Sequence, residues 1–201
     1  NLRINKNNKK FVYLISPNKI KNKDFYAKLN QVLSSKKVSF FQLRLKKEKI
    51  INRIYIGKKI KKICKKYKVK FLINDDPMLA KKINADGCHL GQKDMNILKA
   101  RKILKNKIIG ITCHNSVYLA KKAVLDGANY LSFGAFYSSK TKKVKYRASL
   151  KILSLAKKLT NTPIVAIGGI KDTNYKKLLL NKVNFLAISS YIWNNKKLNP
   201  K

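Results

Sequence analysis

Short apolar runs alternate along the chain with lysine-rich amphipathic stretches. The runs FVYLI (11–15), VSFFQL (38–43), FLI (71–73), GCHL (87–90), KIIGIT (107–112), YLSF (130–133), PIVAI (163–167) and FLAIS (185–189) have the length and composition of short buried strands. Between them, apolar residues recur at helical spacing. Phe25, Leu29, Val32 and Leu33 form one such stripe, and Ile56, Ile60, Ile63 and Cys64 another. The spacing predicts helices over 24–33, 54–67, 77–83, 95–104, 116–125, 149–159 and 173–180, and a long polar loop over 137–147. Eight strands with a helix between each and the next predict an α/β fold: a (β/α)8 TIM barrel forming a single domain over 1–201. A doubly wound open sheet is the alternative; the count of eight and the even spacing favour the barrel. No GxGxxG or GxxxxGK[ST] is present, so no motif supports a dinucleotide or P-loop site.

Composition is compatible with one core: 45% of the 201 residues are hydrophobic. Charge changes the picture more. Lys and Arg number 48 against 8 acids, a formal net charge of +40. Such a chain raises a nucleic-acid reading. Against it, the arginines are only Arg3, Arg44, Arg53, Arg101 and Arg147, and the lysines are spread over the whole length rather than gathered in a stripe. Small polyanionic substrates would still be drawn to this surface. The basic start is followed by only five apolar residues, too few for a signal-peptide core, and no 18-residue apolar run exists, so no membrane partner is expected. The first residue is Asn, which suggests a trimmed start. Cys64, Cys88 and Cys113 are odd in number and widely spaced, as expected of reduced thiols in a cytoplasm. A homo-oligomer is left open.

Candidate chemistry concentrates between Lys70 and Met95, which holds four of the eight acids: Asp75, Asp76, Asp86 and Asp94. Asp76-Pro77 has the form of a helix N-cap followed by proline at the first helical position. Asp86-Gly87 reads as a turn. Asp75 and Asp94 each follow the C-terminal end of a strand. If those strands are parallel neighbours, the ends lie about 5 Å apart, and two carboxylates so close repel unless a cation separates them. Mg2+ suits such a site, since it takes one or two carboxylates and fills its other positions with water and phosphate oxygens; solvated loop acids are the alternative.

A barrel gathers its polar residues at strand C-termini, and this chain does so. Gln42, Arg44 and Lys46 alternate after strand two, Asn74-Asp75 end strand three, Gln92 and Asp94 follow strand four, and Thr112 and His114 end strand five. Ser138 to Lys142 follow strand six, Gly168-Gly169 strand seven, and Ser189-Ser190 strand eight. The last two groups occupy the usual phosphate position of such barrels, although Gly168-Gly169 alone would also suit a tight turn. Arg44, Lys46, Lys142 and a bridging Mg2+ imply a second anion site. Two phosphorylated ligands at one mouth suggest a transferase or synthase.

Seven motifs in barrel order, FQLRLK (41–46), INDD (73–76), ADGCHLGQKDM (85–95), GITCH (110–114), SSKTKK (138–143), AIGGI (166–170) and AISS (187–190), carry a resemblance to the thiamine phosphate synthase family across nearly the whole chain. The resemblance implies a transferase of thiamine biosynthesis. Such enzymes join 4-amino-5-hydroxymethyl-2-methylpyrimidine diphosphate to 4-methyl-5-hydroxyethylthiazole phosphate and release diphosphate, by a dissociative path in which the thiazole nitrogen captures a pyrimidine methyl cation. It implies that Gln42, Arg44, Lys46, Asn74, Thr112 and Lys142 hold the pyrimidine diphosphate, with Arg44, Lys46 and Lys142 stabilising charge. It implies Asp75 and Asp94 as Mg2+ ligands, and Ser139, Thr141, Gly169, Ser189 and Ser190 around the thiazole phosphate. No acid–base residue is implied. Three positions depart from the family pattern: Thr112 stands where Ser is usual, Ser138 where Pro is usual, and Leu45 where an acid is common. The thiazole tautomerases share the fold but generally lack the Gln-x-Arg-x-Lys and paired-Asp set. The Cys88-His89 and Cys113-His114 pairs invite a zinc reading, but adjacent strand residues face opposite sides, so each pair offers at most one inward ligand. Packed histidines, or histidines that orient a neighbour, are the expectation, and Trp193 is expected to be a packing anchor.

Overall fold

The computed structural model describes residues 10–20, 23–138 and 146–194. Eight parallel strands pair in sequence order and close on themselves: β1 (Val12–Ile15), β2 (Val38–Leu43), β3 (Lys70–Asn74), β4 (Gly87–Leu90), β5 (Ile108–His114), β6 (Tyr130–Gly134), β7 (Ile164–Ile167) and β8 (Phe185–Ile188), with β8 beside β1. The helices are α1 (Lys23–Ser34), α2 (Ile50–Lys66), α3 (Pro77–Lys82), α4 (Ile97–Leu104), α5 (Val117–Leu125), α6 (Leu150–Leu159), α7 (Lys176–Leu180) and α8 (Ser190–Trp193). The expected barrel is therefore the observed one, and the open sheet is excluded by closure.

Strand alternation sorts the core into two layers. One parity faces the helices: Phe41, Leu43, Phe71, Ile73, Cys88, Leu90, Ile109, Leu131, Phe133, Ile164 and Leu186 pack there with Leu29, Ile60, Ala80, Ala100 and Leu153. The other parity fills the barrel: Tyr13, Ile15, Phe40, Leu72, Tyr130, Val165, Phe185 and Ala187. The rings fit because a neighbouring strand gives up its side chain. A Cβ on Gly110 would lie 1.8 Å from Cζ of Tyr130.

A repeated device sits at the N-terminal ends of the strands. Asp86, Asn129 and Asn184 immediately precede β4, β6 and β8. Their side-chain oxygens accept from the backbone N–H of Phe71, Ile109 and Ile164, each at 2.8 Å. Their own N–H groups donate back to the carbonyls of the same three residues at 2.8, 2.7 and 3.0 Å. A cation steadies each: Lys70 Nζ at 3.6 Å from Asp86, Arg101 Nη2 at 2.8 Å from Asn129, and Lys157 Nζ at 2.9 Å from Asn184. The Asp86 turn is thus also a latch between β3 and β4.

Element ends differ from the periodicity where no apolar signal marks them. The helix expected from residue 54 begins at Ile50, because its first turn carries the exposed Ile50 and Ile51 and only later residues reach the core. The helix expected from 173 begins at Lys176. Asn174 there accepts from Lys171 N–H and donates to the Gly169 carbonyl, which holds the preceding residues in a turn. The four-residue α8 was not expected; it is too short to show a period. It places Trp193 against Phe25, ring centroids 5.1 Å apart, with Nε1 donating to the Ile15 carbonyl at 2.6 Å, which is the anchoring role expected.

Candidate active site at the C-terminal mouth of the barrel

β2 supplies the first three residues. Leu43 and Leu45 are buried in the outer layer, so Gln42, Arg44 and Lys46 share the opposite side. Gln42 is 3% exposed, inside the barrel. Arg44 donates through its backbone N–H to Ser16 Oγ (2.9 Å) and through Nη1 to Asn18 Oδ1 (3.0 Å), tying it to the loop after β1. Lys46 reaches across to β3, its Nζ 2.7 Å from Asp75 Oδ2.

Asp75 follows Asn74, which ends β3. Its backbone is left-handed (φ 64°) and its N–H donates to the His89 carbonyl on β4 at 2.8 Å. This turn aims the carboxylate over the end of β4, where Asp94 waits. Asp94 accepts from Gly91 N–H at 2.7 Å, and the Asp75 and Asp94 carboxyls lie within hydrogen-bonding reach of one another. Burial alone would push Asp75 up, but the Lys46 ammonium and the bond with Asp94 hold it below the usual carboxylate range. Burial and the neighbouring Asp75 push Asp94 up. Two carboxyls this close form an all-oxygen pair able to hold a hard divalent cation. Among the described residues no cluster of three or more His, Cys, Asp or Glu completes an all-protein metal cage, so such a cation would keep positions for water and ligand oxygens. Asp76, beside them, serves the helix: its Oδ1 accepts from Leu79 N–H at 2.9 Å as the N-cap of α3, and Oδ2 pairs with Arg53 at 3.3 Å.

Thr112 lies near the end of β5, its carbonyl accepting from Gln92 Nε2 at 2.5 Å. Its hydroxyl is 2.9 Å from His89 Nε2. His89 continues the contact inward: Nδ1 is 2.8 Å from the Tyr130 hydroxyl, which is 2.7 Å from the Tyr13 hydroxyl, to which Gln42 Nε2 donates at 2.8 Å. Burial holds the imidazole neutral, pushing His89 down to about 4. It also pushes both phenols up. Each Cys-His pair is split by alternation at its cysteine: Cys88 and Cys113 are buried in the outer layer, where burial pushes Cys113 up to about 12. His114 stacks on Tyr146 at 4.0 Å between centroids, with φ 52°.

β7 and β8 close the mouth. Gly168 and Gly169 have φ of 106° and 60°, and an added Cβ would strike Ala135 at 2.3 Å and the Ser138 carbonyl at 2.5 Å. Both thus meet the demands of a tight turn packed on the loop after β6. Ser189 donates to the Ser16 carbonyl at 3.2 Å and Ser190 opens α8. Ser139, Thr141 and Lys142 lie outside the described residues. Gln42, Arg44, Lys46, Asn74, Asp75, Asp94, Thr112, Gly169, Ser189 and Ser190 therefore all sit at or just inside one mouth. Tyr13, Tyr130 and Ser132 were not expected there. Their inward parity was readable; their contacts, made across the barrel, were not.

Fold and site together define the class: a (β/α)8 barrel whose candidate active site, a carboxylate pair among cations, lies at the C-terminal ends of the strands. Residues 12–192 match the family model of thiamine monophosphate synthase, and the chain belongs to that family. The thiamine-phosphate synthase of Pelagibacter ubique (strain HTCC1062) is 76% identical over 196 residues, 98% of this chain and 95% of that protein. The thiamine-phosphate synthase of Nitrosomonas eutropha (strain DSM 101675 / C91 / Nm57) is 38% identical over 183 residues, 90% and 86% of the two chains. The solved structure of a thiamine phosphate pyrophosphorylase from Pyrococcus furiosus superposes with a TM-score of 0.80 at 28% identity, covering 91% of this chain and 87% of that one.

Proposed function

We propose that this chain is a thiamine-phosphate synthase, a transferase of thiamine biosynthesis that joins a pyrimidine methyl diphosphate to a thiazole phosphate and releases diphosphate. The observation that carries the reading is the contact between Lys46, Asp75 and Asp94 at the mouth, 2.7 Å for the ion pair, in a chain of this family. In a dissociative displacement negative charge builds on the departing diphosphate. Arg44 and Lys46 stand where they offset it, and Lys142 is assigned the same task by its motif. Gln42 and Asn74, at the ends of β2 and β3, orient the pyrimidine diphosphate, and Thr112 offers its hydroxyl. Ser139, Thr141, Gly169, Ser189 and Ser190 take the thiazole phosphate. Asp75 and Asp94 would hold Mg2+, which when bound supplies Lewis-acid neutralisation of phosphate oxygens. No residue need move a proton. Among the described residues no helix is long and apolar enough to cross a membrane. The free, buried thiols suit a reducing cytoplasm.

The test is diphosphate release by the purified protein with both substrates and Mg2+, then with each substrate alone. Release only with both, abolished by chelator and reduced at least about a hundredfold in Asp94→Asn with the far-UV spectrum unchanged, is expected. No release under any combination would overturn the assignment, as would chelator-resistant turnover of a thiazole phosphate alone, the mark of a tautomerase.

A further inference from the structure

The hydrogen bonds inside the barrel have a direction. Gln42 Nε2 donates to the Tyr13 hydroxyl. The Tyr13–Tyr130 and Tyr130–His89 contacts fit either direction by distance alone. A phenol has one proton, and with Tyr13 accepting from Gln42 the arrangement that gives each buried proton an acceptor has Tyr13 donating to Tyr130 and Tyr130 to His89 Nδ1. A neutral imidazole that accepts at Nδ1 carries its proton on Nε2, which faces Thr112 Oγ1 at 2.9 Å. Ser132 Oγ donates to the same oxygen at 3.5 Å. With two donors aimed at its oxygen, the Thr112 hydroxyl must direct its proton out of this chain of bonds, towards the mouth. The members are held firmly. Tyr13, Tyr130 and Gln42 are 2%, 1% and 3% exposed. The His89 ring stacks on Tyr130 at 5.6 Å and 18°, and Gly110 leaves the space that the Tyr130 ring fills.

We infer that Tyr13, Tyr130 and His89 are positioning residues. They lock His89 as its Nε2–H tautomer and so hold Thr112 as a one-way hydrogen-bond donor towards an acceptor oxygen of the bound ligand. Gln42 heads the chain, and its amide orientation sets the sign of every bond after it. Turned end for end, the amide would accept from Tyr13, each bond would reverse, and Thr112 would donate to His89 and offer the ligand only lone pairs. The ligand's identity, a pyrimidine diphosphate, rests on the function proposed above; the tautomer does not. A donor fixed before the ligand arrives costs no reorganisation on binding and is strongest against an anionic oxygen.

The chain has two histidines, so 15N-histidine labelling with His114→Gln for assignment reads His89 directly. Between about pH 6 and pH 8, His89 is expected to show a protonated Nε2 and an unprotonated, hydrogen-bonded Nδ1. In Tyr130→Phe the Nδ1–H form should gain population, with KM for the pyrimidine diphosphate raised about tenfold and that for the thiazole phosphate unchanged. Tyr13→Phe breaks the chain one step further off and should act in the same sense; it serves if Tyr130→Phe does not fold. A wild-type His89 protonated at Nδ1, or charged, overturns the inference. So does an unchanged tautomer and an unchanged KM in a folded variant. If the wild type releases no diphosphate, the proposed function fails, while the tautomer measurement still decides the direction of the chain.

Discussion

Gly110 shows how much one residue can settle. It was visible in the sequence only as part of the GITCH motif. In the barrel its missing side chain admits the Tyr130 ring, which touches Tyr13, Phe40 and His89 in turn. Gly110→Ala would place a methyl 1.8 Å from Tyr130 Cζ. Overpacking of that severity should cost about 3 kcal/mol, read as a lowered denaturant midpoint at unchanged slope, with the His89 tautomer disturbed as well. A midpoint within error of the wild type would mean the ring moves aside freely. Asp75 and Asp76 make the opposite point. Adjacent and alike in sequence, they are separated by backbone: the left-handed φ of Asp75 sends its carboxylate to Lys46 and Asp94, while Asp76 turns back to cap α3. The Asp-Pro signal announced the cap. The strand-end position announced Asp75 as a candidate, and neither announced the contact with Lys46.

At the scale of elements, hydrophobic alternation and helical spacing located all eight strands and seven of the eight helices, because each buries a continuous face. Their ends were less legible, since an exposed first turn such as that of α2 carries no apolar period. The latches before β4, β6 and β8 were not legible either: an Asp or Asn before a strand reads as a turn until its partner strand is known. They tie β3 to β4, β5 to β6 and β7 to β8. Asn184→Ala would leave the Ile164 N–H without its side-chain acceptor and free Lys157. We expect a loss of about 1–3 kcal/mol, and hence a melting temperature lower by about 2–4 °C for each kcal/mol, with the mouth chemistry intact. An unchanged melting temperature would show that the backbone pair alone holds β7 to β8.

At the scale of the molecule, the charge of +40 is not one stripe but a coat. The described acids answer little of it: four ion pairs are formed among the described residues, one of them the Lys46–Asp75 contact in the mouth. A polyanionic substrate approaches such a surface from any side down a favourable gradient. Raising ionic strength from about 0.01 to about 0.15 M shortens the Debye length from about 30 to about 8 Å. The ratio kcat/KM for the pyrimidine diphosphate should then fall about tenfold, with kcat nearly constant. A flat response would assign the attraction to Arg44, Lys46 and their neighbours alone.

The sequence by itself determined the barrel and its mouth. A period of two buries one face of a strand, a period of 3.6 buries one stripe of a helix, and eight such units in succession lead to a barrel in which every strand end meets every other at one rim. Residues such as Gln42, Lys46, Asp75, Asp94 and Thr112 were therefore legible as candidates without any knowledge of their neighbours. Only the tertiary structure decided which candidates touch. Tyr13 and Tyr130 are 117 positions apart, and their hydroxyls meet at 2.7 Å because closure brings opposite walls of the barrel within reach. Parity states that a side chain points inward, but the layer it occupies and the partner it finds depend on strand register and on what the other strands leave empty. Hydrogen bonds are made across that space, not along the chain, so the direction that runs from Gln42 to Thr112 exists only in the folded molecule.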